Sequence, residues 1–239
     1  EFTMKDAYSF DTNLENLDKS YKKQFDAYNK ICKRIGLNYV VVRADTGVMG
    51  GLLSEEFQAV TDVGEDILIL CDHCDYASNI EITPYICNEI DNEAEKPLEL
   101  VETGECHTIE EVCELLKLDI KKTVKALLMN VDGKLVVFFV RGDRDLNEVK
   151  ALKLLKGMEI GFADDELIAT SNAVPGCTGP VGLNAKIVID NEVLKMKNFC
   201  CGANKEGYHY INANIKDFKY DVVGDIVNVQ EGDVCPNCH

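Results

Sequence analysis

Val124-Lys-Ala-Leu-Leu-Met-Asn-Val131, then Asp132-Gly133, then Leu135-Val-Val-Phe-Phe-Val140 decides how this chain is read. Two apolar runs flank an Asp-Gly dipeptide, which tolerates the positive φ of a tight turn, so the stretch predicts a β-hairpin. Downstream, Leu146, Val149, Leu152 and Leu155 recur at helical spacing until Gly157. Residues 159–163 predict a strand, 164–170 a short helix and 186–190 another strand. Upstream, Thr108 and Glu111 form a capping box ahead of Val112, Cys113 and Leu116. Residues from about 105 to 220 therefore predict a compact mixed α/β domain. Residues 88–107, acidic and carrying Pro97 and Gly104, predict a loop or linker.

Nearer the start, residues 1–10 alternate weakly, like a strand, with Phe2 and Met4 apolar. Thr12 and Glu15 form another capping box, and Leu14, Leu17, Tyr21, Phe25, Tyr28, Cys32 and Ile35 then repeat at steps of three and four. Gly36 closes that run, predicting a helix over 13–35. Residues 39–43, 56–60 and 67–70 predict short strands, with the Gly-rich stretch 47–51 between the first two. A helix followed by strands is part of an α+β sheet domain, so the fold class expected throughout is α+β, with mixed or antiparallel sheets and packed helices.

The chain has 239 residues, 46% apolar and 28% charged, a globular balance that permits one large domain or two small ones. Its longest apolar runs are too short to span a bilayer, so no membrane partner is expected. With 25 Lys+Arg against 42 Asp+Glu the net charge is −17, which argues against broad nonspecific binding to nucleic acid while leaving room for a local basic patch. The chain does not begin with Met and opens on no signal segment, so it reads as a piece of a longer protein. Eleven cysteines, an odd number without a secretory cue, read as reduced cytoplasmic thiols. Cys32, Cys87, Cys113, Cys200 and Cys201 are expected to be small buried hydrophobes.

Cys71-Asp-His-Cys74 and Cys235-Pro-Asn-Cys238 differ from these. Each CxxC spacing can chelate one tetrahedral zinc through two thiolates, and two such knuckles complete a site. Residues 75–234 lie between them. Closing that longer loop costs about 2 kcal/mol more than in an ordinary zinc ribbon, against about 10–16 kcal/mol from structural zinc. If the knuckles meet, everything between them is an inserted domain on a clasped neck. Separate redox pairs and simple burial are the alternatives, and His73 and His239 are substitute ligands.

Further stretches carry a resemblance. Residues 1–10, Ala44-Asp-Thr-Gly-Val-Met-Gly-Gly51, Ser54-Glu-Glu-Phe57, Gly64-Glu-Asp66, Cys74-Asp-Tyr-Ala-Ser-Asn-Ile-Glu81, Val140-Arg-Gly-Asp143, Gly176 to Pro180, Gly202-Ala-Asn204 and Glu231-Gly-Asp-Val-Cys-Pro236 resemble bacterial-type prolyl-tRNA synthetase, a class II enzyme, in order and from end to end. The family usually has Ser-His-Glu-Phe where this chain has Ser54-Glu55-Glu56-Phe57. The resemblance places motif 1, the first half of motif 2 with its ATP-binding arginine, and motif 3 outside this sequence. It implies a partial class II catalytic core at 1–68, a CxxC neck at 69–82 and 223–239, and an inserted editing domain at 83–222.

In the family that insertion hydrolyses alanine mischarged onto proline tRNA, while the parent, a homodimer in the cytoplasm, ligates proline to tRNA(Pro) with ATP and Mg²⁺. The isolated chain is then expected to lack aminoacylation. No P-loop replaces the missing ATP site, since Gly47 to Gly51 lacks the following Lys-Ser/Thr. A noncatalytic tRNA-binding or regulatory relative and a zinc-clasped structural module are the rival readings.

The resemblance also implies the editing residues. Lys125, which alternation sets on the face of Leu127 and Met129, would hold the tRNA 3′ end; a strand-end lysine reaching for water is the plainer reading. Gly176 to Pro180 fits the family's GxxxP loop, in which Gly176, Gly179 and Pro180 would offer close backbone approach to the substrate. Cys177 within it has no identifiable base and is not expected to act as a nucleophile; water attacks the ester instead. His209 would line the pocket, and Ile109 and Val112 would shape it around alanine, with core packing as their equal competitor. Asp190 matches an acidic position of the family, against a turn cap. Asn204 and Arg141-Gly142-Asp143 match without an assignable chemistry. Lys117, Lys121, Lys122, Lys125, Lys150, Lys153 and Lys156 offer a basic rim, unless they form a solvated face.

Overall fold

A computed structural model describes residues 3–4, 6–47, 50–51, 53–88, 90–106 and 108–239. It divides into two compact units, one of residues up to Leu70 with Ala77–Asn79, the other of Cys71–Tyr76 with Ile80–His239. In the first unit, α1 (Leu14–Arg34) precedes a four-stranded sheet of order β2-β1-β4-β3, built from β1 (Tyr39–Arg43), β2 (Glu55–Ala59), β3 (Leu68–Leu70) and β4 (Ala77–Asn79). Phe57 of β2 joins helix to sheet. Its ring lies 5.2 Å from Phe25 and 5.8 Å from Tyr39, distances at which aromatic pairs attract. Glu55 accepts a hydrogen bond from the Tyr21 hydroxyl at 2.5 Å.

Two expectations fail here. Asn13, not Thr12, caps α1, its side chain accepting from the Asn16 N–H at 2.9 Å. Adjacent cap-competent residues leave periodicity unable to choose between them. The described residues among 1–10 form no strand, because no neighbour pairs with them; Phe2 lies outside the described residues, as do Val48 and Met49 of the Gly-rich stretch.

The second unit is built on the hairpin. β6 (Val124–Val131) and β7 (Lys134–Arg141) pair antiparallel from Val124↔Arg141 to Val131↔Lys134. Asp132 and Gly133 turn the chain at φ +50 and +78. Together with β8 (Ile160–Phe162), β9 (Lys186–Asp190) and β12 (Val222–Gly224) they form a sheet of order β12-β9-β7-β6-β8. Central β7 is covered on both faces, which is why it reads as an unbroken apolar run rather than an alternation. Val137 and Phe139 face Phe199, Cys201 and Ala213. Val136, Phe138 and Val140 face Ala151, Ile226 and Val227.

The first of those faces is closed by a second sheet, of order β10-β11-β5. It comprises β5 (Glu99–Glu102), β10 (Phe199–Gly202) and β11 (Tyr208–Ala213). The sequence reading misses all three strands and assigns 88–107 wholly to loop. β5 is four residues long with acidic ends, and His209↔Val101 pairing supplies a register that no local pattern announces. The opposite face takes α3 (Glu148–Leu155), capped by Asn147. α2 (Ile109–Leu116) and the short α4 (Asp165–Ile168) complete the unit. Cys32, Cys200 and Cys201 are buried as expected, while Cys87 and Cys113 are half-buried.

Candidate functional site

A cavity of about 190 Å³ opens in the second unit. Four elements wall it: Thr108, Ile109 and Val112 at the start of α2; Thr123 just before β6, with Val124 to Ala126 and Leu128 along it; Gly176 and Thr178 of the loop before β9; and Cys200 to Gly202 with His209 from the second sheet. Its volume is close to that of an engineered cavity of about 150 Å³ that takes up benzene, so it suits a small group.

The predicted capping box fixes the first wall. Thr108 Oγ1 accepts from the Glu111 N–H at 3.2 Å, and Glu111 Oε2 accepts from the Thr108 N–H at 3.0 Å. That start sets the helical phase presenting Ile109 and Val112, the latter 3% exposed. The third wall turns at Gly176, φ +83, a conformation that favours glycine. The Cys177 N–H and the Thr178 hydroxyl both donate to the Val174 carbonyl, at 2.8 and 2.7 Å, which folds the loop inward.

His209 is buried, its Nδ1 sharing a hydrogen bond of 2.8 Å with Thr103 Oγ1. Burial pulls its pKa below the ordinary histidine value, so the ring is neutral at pH 7. Thr103 went unnoticed in the sequence, because it lies in the stretch read as linker and meets His209 only across the β5–β11 pairing. Burial pushes the Cys200 thiol up to about 12 and raises that of Cys201 well above its usual value. The two sulfurs stay protonated and are poor nucleophiles. Cys177 is 1% exposed.

Lys125 is half-buried at one end of β6, its Nζ 3.2 Å from Asp145 Oδ1. That carboxylate is 78% exposed, and such a pair is worth only about 0–1 kcal/mol, so a stronger anion can replace it. Gly179, Pro180, Asp190 and Asn204 are absent from the lining. Gly179 and Pro180 are buried in the loop behind Thr178. Asn204 binds the backbone of that loop. Asp190 is fully buried at the end of β9, where it accepts from the Glu192 and Ile226 N–H groups at 2.8 and 3.0 Å. Burial drives its carboxyl up to about 6.

Arg141 and Asp143 belong to a buried ion network. Arg141 binds Asp143 and Glu192, while Arg144 grips Asp233 through two bonds of 2.7 and 2.8 Å and stacks on Tyr85. Two lysines of the expected rim are engaged elsewhere. Lys122 pairs with Asp91 and Glu93, and Lys150 with Asp225 and the Val227 carbonyl.

Away from the cavity, Cys71, Cys74, Cys235 and Cys238 converge, their sulfurs all within 4.8 Å of one another. Cys71 and Cys238 sulfurs are 3.6 Å apart, Cys74 and Cys235 sulfurs 3.8 Å. Tetrahedral zinc with Zn–S bonds of about 2.3 Å sets its sulfurs about 3.8 Å apart, so the four residues fit a metal ion. Backbone N–H groups of His73 and Asn237 donate to Cys71 and Cys235 sulfurs, and the Asn237 amide donates to Cys74. Such donors offset thiolate charge. Neither His73 nor His239 belongs to the group.

Residues 103–220 match the family model of the aminoacyl-tRNA editing domain, a segment that holds the whole cavity and excludes the four cysteines. Over 240 residues the chain is 45% identical to a proline–tRNA ligase of Caldicellulosiruptor saccharolyticus, covering 100% of this chain and 42% of the relative. It is 46% identical over 244 residues to that of Thermoanaerobacter pseudethanolicus, covering 100% and 43%. A Geobacter metallireducens proline–tRNA ligase is 43% identical over 240 residues, covering 100% and 42%. The chain thus spans less than half the length of these curated relatives. Among the described residues no helix is long and apolar enough to cross a membrane.

Proposed function

The chain belongs to the prolyl-tRNA synthetase family and carries an aminoacyl-tRNA editing domain, and on that premise we propose that its cavity hydrolyses alanine mischarged onto tRNA(Pro). The observation that carries this reading is the size and lining of the cavity. A volume of about 190 Å³ suits a small aminoacyl group, and Ile109 and Val112 in its wall are the side chains that would set the steric limit against a pyrrolidine ring. Binding alone separates small apolar groups by about 1–3 kcal/mol, so the refusal of proline is steric.

The reaction is attack of water on the ester carbonyl, releasing alanine and the ribose hydroxyl. Protonated Cys200 and Cys201 leave no thiolate to compete with water. The Gly176 and Thr178 N–H groups, from the two loop residues that line the cavity, stabilise the developing oxyanion, since those of Cys177 and Gly179 are bound to Val174 and Asn204. Lys125 exchanges Asp145 for a phosphate of the tRNA 3′ end. Neutral His209, anchored through Thr103, orients the aminoacyl group. Gly179, Pro180, Asn204 and Asp190 support the site from behind rather than touching substrate.

For the longer protein, the proposal is proline ligation to tRNA(Pro) with ATP and Mg²⁺, by a cytoplasmic homodimer. Residues 1–68 would belong to its catalytic core, 69–82 and 223–239 to the neck, and 83–222 to the editing insertion. The four cysteines would hold a structural zinc that clasps the neck.

Incubating the chain with alanyl-tRNA(Pro) at low salt tests the reading: the ester is cleared faster than in buffer, and added salt slows it. A folded preparation that protects the ester would make this a binding relative. One that leaves its lifetime unchanged would make it a structural module.

A further inference from the structure

Asn204 is in the left-handed region, φ +53, two residues past the end of β10. Its backbone N–H donates to the Cys177 carbonyl at 2.9 Å. Its side-chain oxygen accepts from the Gly179 N–H at 3.0 Å. The amide nitrogen donates to the Gly179 and Val181 carbonyls, both at 3.0 Å. One residue thereby binds three residues of the loop, and only an uncharged amide offers both the acceptor and the two donors this needs.

The loop and β10 are also in direct backbone contact. A Cβ on Gly179 would stand 1.7 Å from the Gly202 carbonyl oxygen, and one on Gly202 would stand 2.3 Å from the Cys177 carbonyl. Both elements line the cavity, the loop through Gly176 and Thr178, the strand through Cys200, Cys201 and Gly202. The separation of these walls is the width available to an aminoacyl group.

We infer that Asn204 is a positioning residue that sets this width and, through it, the refusal of aminoacyl groups larger than alanine. Its amide is spent on the loop, so it acts without touching substrate. The inference rests on the editing reading and adds a determinant on cavity walls other than the one that carries Ile109 and Val112.

Two variants test it. Asn204→Asp keeps the shape and the acceptor but turns a carboxylate toward two carbonyl oxygens. Asn204→Gly keeps the left-handed backbone and removes all three side-chain bonds, and it carries the test if the first variant does not fold. Hydrolysis of alanyl- and prolyl-tRNA(Pro) is measured alongside hydrogen exchange of the loop amides without substrate. The expected result is a rise of about tenfold in prolyl relative to alanyl hydrolysis, the lower end of what one methylene of discrimination is worth, with loss of protection in the loop. Unchanged selectivity would overturn the inference, whether or not protection is lost. A raised KM with intact loop protection would instead make Asn204 a direct substrate contact. Should the wild type clear no alanyl-tRNA, the editing reading fails, and the exchange data still show whether Asn204 holds the loop.

Discussion

Replacing Asp190 by Asn separates its two readings, pocket acid and fold anchor. The carboxylate is fully buried and serves the Glu192 and Ile226 N–H groups, one with each oxygen. Burial, reinforced by Asp225 and Glu192, lifts its pKa from 3.8 to about 6. A folded pKa above the unfolded one means the native state holds its proton to higher pH. Stability on this account is fully present below the unfolded value and declines as pH rises through about 6. The shift amounts to about 3 kcal/mol in all, of which roughly 2 kcal/mol falls between pH 4 and pH 7. Asn does not titrate, and its NH₂ group faces one of the two N–H donors, leaving that donor without a partner. Urea unfolding of both proteins at unit pH steps reads the difference. The wild type should exceed the variant most at pH 4, and the gap should shrink by roughly 2 kcal/mol by pH 7. Carboxylates shifted the other way, Asp91 and Asp143 among them, cancel in that difference. A gap that stays constant with pH would refute the reasoning, and a variant of unchanged stability that loses deacylation would return Asp190 to the chemistry.

Lys125→Ala should lower alanyl-tRNA deacylation by at least about a hundredfold, the scale of losing a charge-assisted contact of about 3 kcal/mol, with an unchanged melting temperature; wild-type rates would remove it from the site. Ile109→Ala and Val112→Ala should admit prolyl-tRNA(Pro) to hydrolysis, and unchanged selectivity in both would make them core. Chelator-free protein should contain about one zinc per chain by plasma emission, as a four-thiolate site holds one ion, and Cys235→Ser should lose it; less than about a tenth of an equivalent would sink the metal assignment.

The features legible in the sequence are those whose signal is local. The Asp132-Gly133 turn, the apolar strand β7 and the Thr108–Glu111 box each fit within a few residues, and each is present as read. The two CxxC spacings are likewise short-range, although their convergence is not. What escaped depends on partners far along the chain. β5 exists because β11 pairs with it, Thr103 matters because His209 is its neighbour there, and Asn204 acts on residues more than twenty positions earlier. Asp190 and Asn204 match family positions by pattern alone, and their side chains are turned to backbone groups. An acid that ends a strand looks the same in sequence whether it serves a ligand or two N–H groups.

The convergence of Cys71 and Cys74 with Cys235 and Cys238 has a mechanical meaning. With a metal bound, the point where the chain enters residues 75–234 and the point where it leaves are joined by bonds of about 2.3 Å to one ion. Tension applied to the chain on either side would run through sulfur and metal and bypass the β6–β7 hairpin. The sheet that walls the cavity would carry no load while the clasp holds. Stretched from its ends in an optical trap, the protein should therefore release residues 75–234 only after the clasp gives way, and a chelator in the buffer should bring that release to lower force.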